Sequence, residues 1–249
     1  MLGPVRRPLI PILLSVLLLS GCAGLELPDL HDLPDLTVPA APAAPVGDAA
    51  SALAALPVKG RAPKTGYERE QFGQRWADVD RDGCDQRNQV LARDLTSVEY
   101  RPGTRDCVVL SGALLDPYTG DGVPFLRGER TSADVQIDHV VALSNAWQTG
   151  AQQLDEDTRE LLANDPLNLL AVDGPTNASK GDGDAATWLP PSRGYRCAYV
   201  ARQVAVKATY GLWVTAAEAD AIARVLDGCP GEPLPVSTLP LSTLPVAAG

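Results

Sequence analysis

Five polar residues in the second half of the chain have types and spacings that suit hydrolytic chemistry. Asp138 and His139 are adjacent at the end of a predicted strand. Asn168 opens a second predicted strand, and Asn177 and Lys180 lie three positions apart in the short helix that follows. An unperturbed histidine has a pKa of about 6.5 and accepts a proton around neutral pH, while carboxylate and amide oxygens are donors that suit Mg²⁺. The set predicts a metal-assisted hydrolytic site centred on His139.

The order of these motifs resembles that of a known family. A strand with Asp-His, a strand with Asn and a helix with Asn-x-x-Lys follow one another, as in the HNH, or ββα-metal, endonuclease superfamily. The likeness is to its secreted branch, where the last motif residue is Asn, and it is strongest over residues 135–191. It implies an exported endonuclease with Mg²⁺ or Mn²⁺ as cofactor and nucleic acid as substrate. DNA is favoured over RNA, but both stay open, and the protein is expected to be a monomer.

The resemblance also implies a role for each of the five residues. His139 would be the general base, and Asp138 and Asn177 would be metal ligands. Asn168 would brace the loop after the first strand and orient His139, and Lys180 would meet a phosphate oxygen. Ordinary structural roles compete for three of these residues: a turn at Asn168, a helix cap at Asn177 and a solvated helix end at Lys180.

The connection between the two predicted strands departs from the compact members of the superfamily. Two predicted helices separate His139 from Asn168, whereas compact modules join these strands briefly. Asn145 and Asn164 therefore stay open as alternatives for the middle position.

An acidic run near residue 80 is a second candidate site. Residues 78–83 (DVDRDG) match the opening of a calcium-binding loop, with acids at positions one, three and five and glycine at six. The twelfth position is Gln89 instead of the bidentate Glu, so an acidic turn is the competing interpretation. Arg87 is a candidate phosphate ligand, with a surface salt bridge as its alternative. A non-catalytic, surface-tethered binding module that uses calcium is the competing function.

The charge balance excludes one class of protein. The chain carries 21 Lys and Arg against 31 Asp and Glu, a net charge of −10. It therefore lacks the broad basic field of a protein that coats nucleic acid non-specifically. A local basic surface together with divalent cations is compatible with this balance.

The N-terminus has the layout of an export signal. Arg6 and Arg7 precede an apolar run over residues 9–19, and residues 19–22 (LSGC) resemble a bacterial lipobox. Cys22 would then become the lipidated first residue of an exported protein anchored to the membrane. A transmembrane anchor is the alternative, but the run is shorter than the roughly 20 residues that span a bilayer.

The other cysteines agree with an oxidising compartment. Cys84, Cys107, Cys197 and Cys229 form an even set in which three pairings are possible. Sequence order and the helix pattern favour Cys84 with Cys107 and Cys197 with Cys229. A four-cysteine zinc site is disfavoured because the chain has no Cys-x-x-Cys pair.

The hydrophobic pattern predicts an α+β fold with a hairpin-rich N-terminal part, a ββα core and a C-terminal pair of helices. Thr215 and Glu218 predict a capping box at the last helix. The chain divides into a signal peptide (1–22), a Pro/Ala-rich tether without fixed structure (23–58), one domain (59–230) and a disordered tail (231–249).

Overall fold

The computed structural model describes residues 47–239. The predicted signal peptide, the lipidation site Cys22 and most of the predicted tether lie outside the described residues. Within residues 47–239, every helix is too short or too polar to cross a membrane.

Helices and strands alternate irregularly along the described residues, so the predicted α+β class is confirmed. The α-helices are α1 (Ala49–Ala55), α2 (Gln86–Asp94), α3 (Leu143–Gln148), α4 (Glu156–Asn164), α5 (Gly174–Lys180), α6 (Arg196–Thr209) and α7 (Ala216–Leu226). The strands are β1 (Leu95–Tyr100), β2 (Val109–Leu115), β3 (Gly122–Leu126), β4 (Val135–His139) and β5 (Leu169–Asp173). Short 3₁₀ turns lie at Arg69–Phe72, Ala151–Gln153 and Arg193–Tyr195.

The strands form two antiparallel sheets. One has the order β1-β2-β3, and the other is the pair β4-β5. Val135 and Ile137 of β4 pack into a small core shared with α2 and the three-stranded sheet, whereas Leu170 and Val172 of β5 pack into a larger core built mainly by helices. Because alternate residues of a strand point to opposite faces, the β4-β5 pair is buried on both sides.

Side-chain caps fix where the helices begin. Asp173 accepts a hydrogen bond from Thr176 N at the start of α5, and the predicted capping box of Thr215 and Glu218 at α7 is confirmed. Gly174 and Pro175 form the first turn of α5. Pro175 suits that position because proline has no N–H to leave unpaired there.

Both disulfides favoured by the sequence are present, Cys84–Cys107 and Cys197–Cys229. The first joins the loop before α2 to the loop before β2. The second joins the start of α6 to the segment just after α7, as expected for two neighbouring helices.

The domain extends beyond the predicted boundaries at both ends. Helix α1 lies inside the predicted tether, and its first amide, Ala49 N, donates to Glu232 O over 2.9 Å. In the predicted tail, Leu234 and Leu239 are buried and Ser237 Oγ donates to Asp165 Oδ1 over 2.7 Å. Proline content predicts the absence of a helix, but it does not prevent an extended segment from packing its leucines against a core.

This packing gives a stability prediction with a matched control two residues away. Leu234→Ala removes a buried side chain and is expected to lower the free energy of unfolding by about 2–3 kcal/mol. Val236→Ala, at a side chain that is 52% exposed, should change it by less than about 0.5 kcal/mol. Urea unfolding of the full chain measures both, and equal effects would contradict the described packing.

Candidate active site

His139 is the last residue of β4 in a unit of two antiparallel strands followed by a helix. It lies opposite Leu169 of β5, and α5 follows β5 without a break. The chain bends immediately after His139. The strand, strand and helix order predicted around the five polar residues is therefore present.

A backbone carbonyl determines which nitrogen of the His139 ring carries the proton. Nε2 lies 2.8 Å from Ala163 O at the C-terminal end of α4. A carbonyl oxygen only accepts hydrogen bonds, so Nε2 carries the proton and the neutral ring leaves Nδ1 as a proton acceptor. Burial lowers the pKa of His139 to about 3, the positive charges of Arg69, Lys180 and Arg75 act in the same direction, and the Ala163 bond opposes them. The ring is therefore neutral at physiological pH.

His139 lines an open cleft of about 340 Å³. The opposite wall is formed by residues 69–76, and Ala163 and Asn164 of α4 lie beneath it. The ring of Trp76 is nearly parallel to that of His139, with an interplanar angle of 9° and 6.2 Å between centroids. The cleft brings a neutral imidazole, an indole and two guanidinium groups together.

Asp138 points to the other face of β4. Its Oδ2 accepts a hydrogen bond from Tyr118 Oη over 2.5 Å, and its Oδ1 accepts one from Lys180 Nζ over 2.9 Å. Lys180 Nζ also donates to His139 O over 2.7 Å. Burial, and next the charge of Asp138, raise the pKa of Tyr118 well above its usual value, so Tyr118 is a stable hydrogen-bond donor.

The predicted phosphate-binding role of Lys180 does not agree with this position. Its side chain is fully buried, and its ammonium is held by the Asp138 carboxylate and a backbone carbonyl. The phosphate contact and its alternative, a solvated helix end, both require an exposed side chain, but α5 packs this end against β4. Lys180 therefore neutralises Asp138 instead of facing a substrate.

Asn168 makes the contacts expected of a brace. Its Oδ1 accepts from Val141 N over 2.8 Å, and its Nδ2 donates to Val141 O over 3.3 Å and to Leu162 O over 3.2 Å. It thus ties the bend after His139 to α4. Of the alternatives for this position, Asn145 accepts from Lys207 in the helical core, whereas Asn164 lines the His139 cleft.

Asn177 lies one helical turn before Lys180 and is half-buried. Its Nδ2 donates to Gln136 Oε1 over 2.9 Å, and Gln136 shares a strand face with Asp138. Within residues 47–239 the amide oxygen of Asn177 accepts no hydrogen bond. Each Asp138 oxygen accepts one hydrogen bond and has two lone pairs. The Asn177 amide oxygen is therefore an open donor on the α5 side of the hairpin, whereas Asp138 is buried and both of its oxygens already accept hydrogen bonds, from Lys180 and from Tyr118.

The predicted site residues therefore fall into two groups. His139 and Asn168 belong to the cleft and the bend beneath it, while Asp138, Asn177 and Lys180 lie at the contact between β4 and α5. Successive side chains of β4 point to opposite faces of the strand, so Asp138 and His139 belong to different groups although they are adjacent in sequence.

The acidic run forms a compact loop. One carboxylate oxygen from each of Asp78, Asp80 and Asp82 lies within 4.8 Å of the others, so these residues could hold a metal ion. Asp78 accepts hydrogen bonds from the amides of Asp82 and Gly83, and Gln89 donates to Asp80. Burial is the main cause that raises the pKa of Asp80.

Arg87 is half-buried behind the cleft wall, where its Nη2 lies 3.5 Å from Ser132 O. Burial lowers its pKa, and the charges of Arg127 and Arg75 lower it further, which places three guanidinium groups in one region. The predicted salt-bridge alternative is absent for Arg87 among the described residues.

Sequence reasoning missed the opposite wall of the cleft. Arg69 and Arg75 precede the motif region by about 60 residues, and no motif marks them. The available signal was two arginines and a tryptophan in a short segment without regular periodicity. Tyr118, the partner of Asp138, lies in a turn and was equally unmarked.

The fold is an α+β domain with two disulfides, and its candidate site lies on a β-hairpin followed by a helix, with His139 at the end of the first strand. Comparisons with known proteins agree with a nuclease domain of this kind. The sequence profile of the GmrSD restriction endonuclease C-terminal domain matches residues 85–225. The chain is also 37% identical, over 178 residues, to an uncharacterized secreted protein of Arthroderma benhamiae, covering 71% of this chain and 82% of that protein. No solved structure matches. The chain belongs to the family of GmrSD restriction endonuclease C-terminal domains.

The two asparagines give a matched pair of variants. Asn168→Ala leaves the Val141 amide and two carbonyls unpaired in the core and should lower the free energy of unfolding by about 3 kcal/mol. Asn177→Ala loses one hydrogen bond at a half-buried position and should cost less than about 1 kcal/mol. Chemical unfolding compares them, and a larger loss for Asn177→Ala would contradict the bracing role of Asn168.

Proposed function

We propose that this protein is an exported, metal-dependent endonuclease that hydrolyses phosphodiester bonds of nucleic acids, with His139 as general base. The observation that carries the proposal is the orientation of the imidazole. Ala163 O holds Nε2–H, so Nδ1 is the proton acceptor of a neutral ring that lines an open cleft. Membership of a restriction endonuclease family supports a nucleic-acid substrate.

The reaction would proceed by attack of water on phosphorus. His139 Nδ1 accepts a proton from the attacking water as the new oxygen–phosphorus bond forms and the bond to the sugar oxygen breaks. The leaving oxygen takes a proton from solvent. Asn168 fixes the bend that follows His139, so that the ring keeps its contact with Ala163.

The resemblance assigns the divalent ion to Asp138 and Asn177, although Asp138 points away from the His139 cleft. A bound ion would supply charge neutralisation at a phosphate. Lys180 forms an ion pair with the Asp138 carboxylate inside the core. Replacing Asp138 would leave the Lys180 ammonium buried without its partner, at a cost of roughly 3–5 kcal/mol. Asn177 is therefore the cleaner position at which to test metal binding.

Cleavage by the full chain, with both disulfides formed, tests the general base. His139→Ala should reduce the rate roughly 100- to 10,000-fold at saturating Mg²⁺ or Mn²⁺. His139→Gln should be equally slow, because its amide can still donate to Ala163 O but provides no basic nitrogen. Nicking of supercoiled DNA and cleavage of labelled single strands of DNA and RNA measure the rate. Cleavage by His139→Gln at the parental rate would overturn the mechanism.

Asn177→Ala gives the complementary result. Its activity should fall at low metal concentration and recover as Mn²⁺ is raised, whereas the His139 variants should stay slow at every metal concentration. A metal titration of the cleavage rate separates the two classes. An unchanged metal dependence in Asn177→Ala would remove Asn177 from the metal site.

A calcium-using binding module is the second candidate, because the Asp78, Asp80 and Asp82 oxygens lie together. It predicts a Ca²⁺-dependent rise in thermal stability that Asp80→Asn abolishes. It would replace the nuclease proposal if the parent cleaves no DNA or RNA with Mg²⁺, Mn²⁺, Ca²⁺ or Zn²⁺.

Export is supported by the two disulfides and by the secreted relative. We further propose anchoring through Cys22, which lies outside the described residues. Cys22→Ser should release the protein from the membrane fraction of a bacterial host, and retention without lipid label would contradict the anchor.

A further inference from the structure

The wall of the cleft that faces His139 is a short segment, residues 69–76, here called the arginine segment. It consists of the 3₁₀ turn Arg69–Phe72 and the four residues that follow. Arg69, Arg75 and Trp76 line the cleft from this segment. Glu70 is the acidic residue among the lining side chains.

Arg69 and Arg75 carry charge that the fold does not use. Both are exposed, and within residues 47–239 neither forms a hydrogen bond or an ion pair. Lys180, the other cation near His139, is committed to Asp138. The free positive charge at the cleft therefore belongs to the arginine segment, in a chain whose net charge is −10.

The Trp76 ring lies next to both the Arg75 guanidinium and the His139 imidazole. The guanidinium carbon of Arg75 lies 5.1 Å from the Trp76 ring centroid, and that ring lies parallel to His139 at 6.2 Å. A guanidinium is thus held one aromatic ring away from the base.

Helix α4 holds the arginine segment in place. Glu160 Oε1 accepts from Gln74 N over 2.9 Å, Asn164 Nδ2 donates to Gln74 O over 3.1 Å, and Arg159 Nε donates to Gln71 O over 2.6 Å. The same helix presents Ala163 O to His139. One rigid element therefore sets the position of both the base and the arginines.

We propose that Arg69 and Arg75 bind the phosphodiester backbone of the nucleic-acid strand that is attacked by the water from which His139 takes a proton. This inference rests on the proposed function. Arginine suits the role because its planar guanidinium donates two parallel hydrogen bonds to phosphate oxygens. The arginines replace Lys180 as the phosphate ligands of the site, with Trp76 as a positioning residue that supports Arg75.

Binding is tested without cleavage, in the His139→Gln background with EDTA present. Anisotropy of fluorescein-labelled DNA and RNA oligonucleotides, single- and double-stranded, gives the dissociation constant at several salt concentrations. Arg69→Gln and Arg75→Gln should each weaken binding about tenfold. Each should also lower the slope of log K against log salt by about 0.7–0.9, the value of one phosphate contact.

Arg224→Gln is the matched control, because it makes the same charge change at an exposed residue of α7 outside the cleft lining. It should bind like the background protein. Parental affinity and salt slope in both arginine variants would overturn the inference, as would an equal loss in Arg224→Gln or an absence of oligonucleotide binding by the background protein.

The outcome is separable from that of the proposed function. If the parent does not cleave but binding depends on Arg69 and Arg75, the nuclease proposal fails and the inference stands. If cleavage requires His139 but both arginine variants bind and cleave at the parental level, the nuclease proposal stands and the inference fails.

Discussion

The buried ion pair between Asp138 and Lys180 determines how the candidate site is arranged. The β4-β5 pair lies between two cores, so a carboxylate on β4 is removed from water and requires a partner. Lys180 provides the opposite charge and Tyr118 a hydrogen bond. Because Lys180 also donates to His139 O, the same ammonium ties α5 to the end of β4.

Because Lys180 is paired with Asp138, it adds no exposed positive charge to the candidate site. With Lys180 buried, the exposed positive charge next to His139 comes from Arg69 and Arg75, which precede the region matched by the family profile. An acidic protein can in this way present a local cationic surface beside His139 without a broad basic field.

The long connection between β4 and β5 has a structural reason. It carries α3 and α4, and α4 supplies the carbonyl that orients His139, the carbonyl of Leu162 that Asn168 binds, and the side chains that hold the arginine segment. What looks in sequence like an insertion into a compact motif is the element on which the cleft is built. Asn164, an alternative for the middle position, is the last residue of α4 and lines the cleft.

The sequence by itself determined the local features: the strands around His139 and Asn168, the α7 capping box and the two disulfides. Periodicity, capping residues and cysteine order act over short distances or between adjacent elements, so they are visible along the chain. Tertiary structure decided which face each residue occupies. It turned Lys180 into the partner of Asp138, brought Arg69 and Arg75 to His139, and packed Leu234 and Leu239 of the proline-containing tail into the core. These outcomes depend on contacts between segments distant in sequence, where burial and the pairing of charge outweigh local preference.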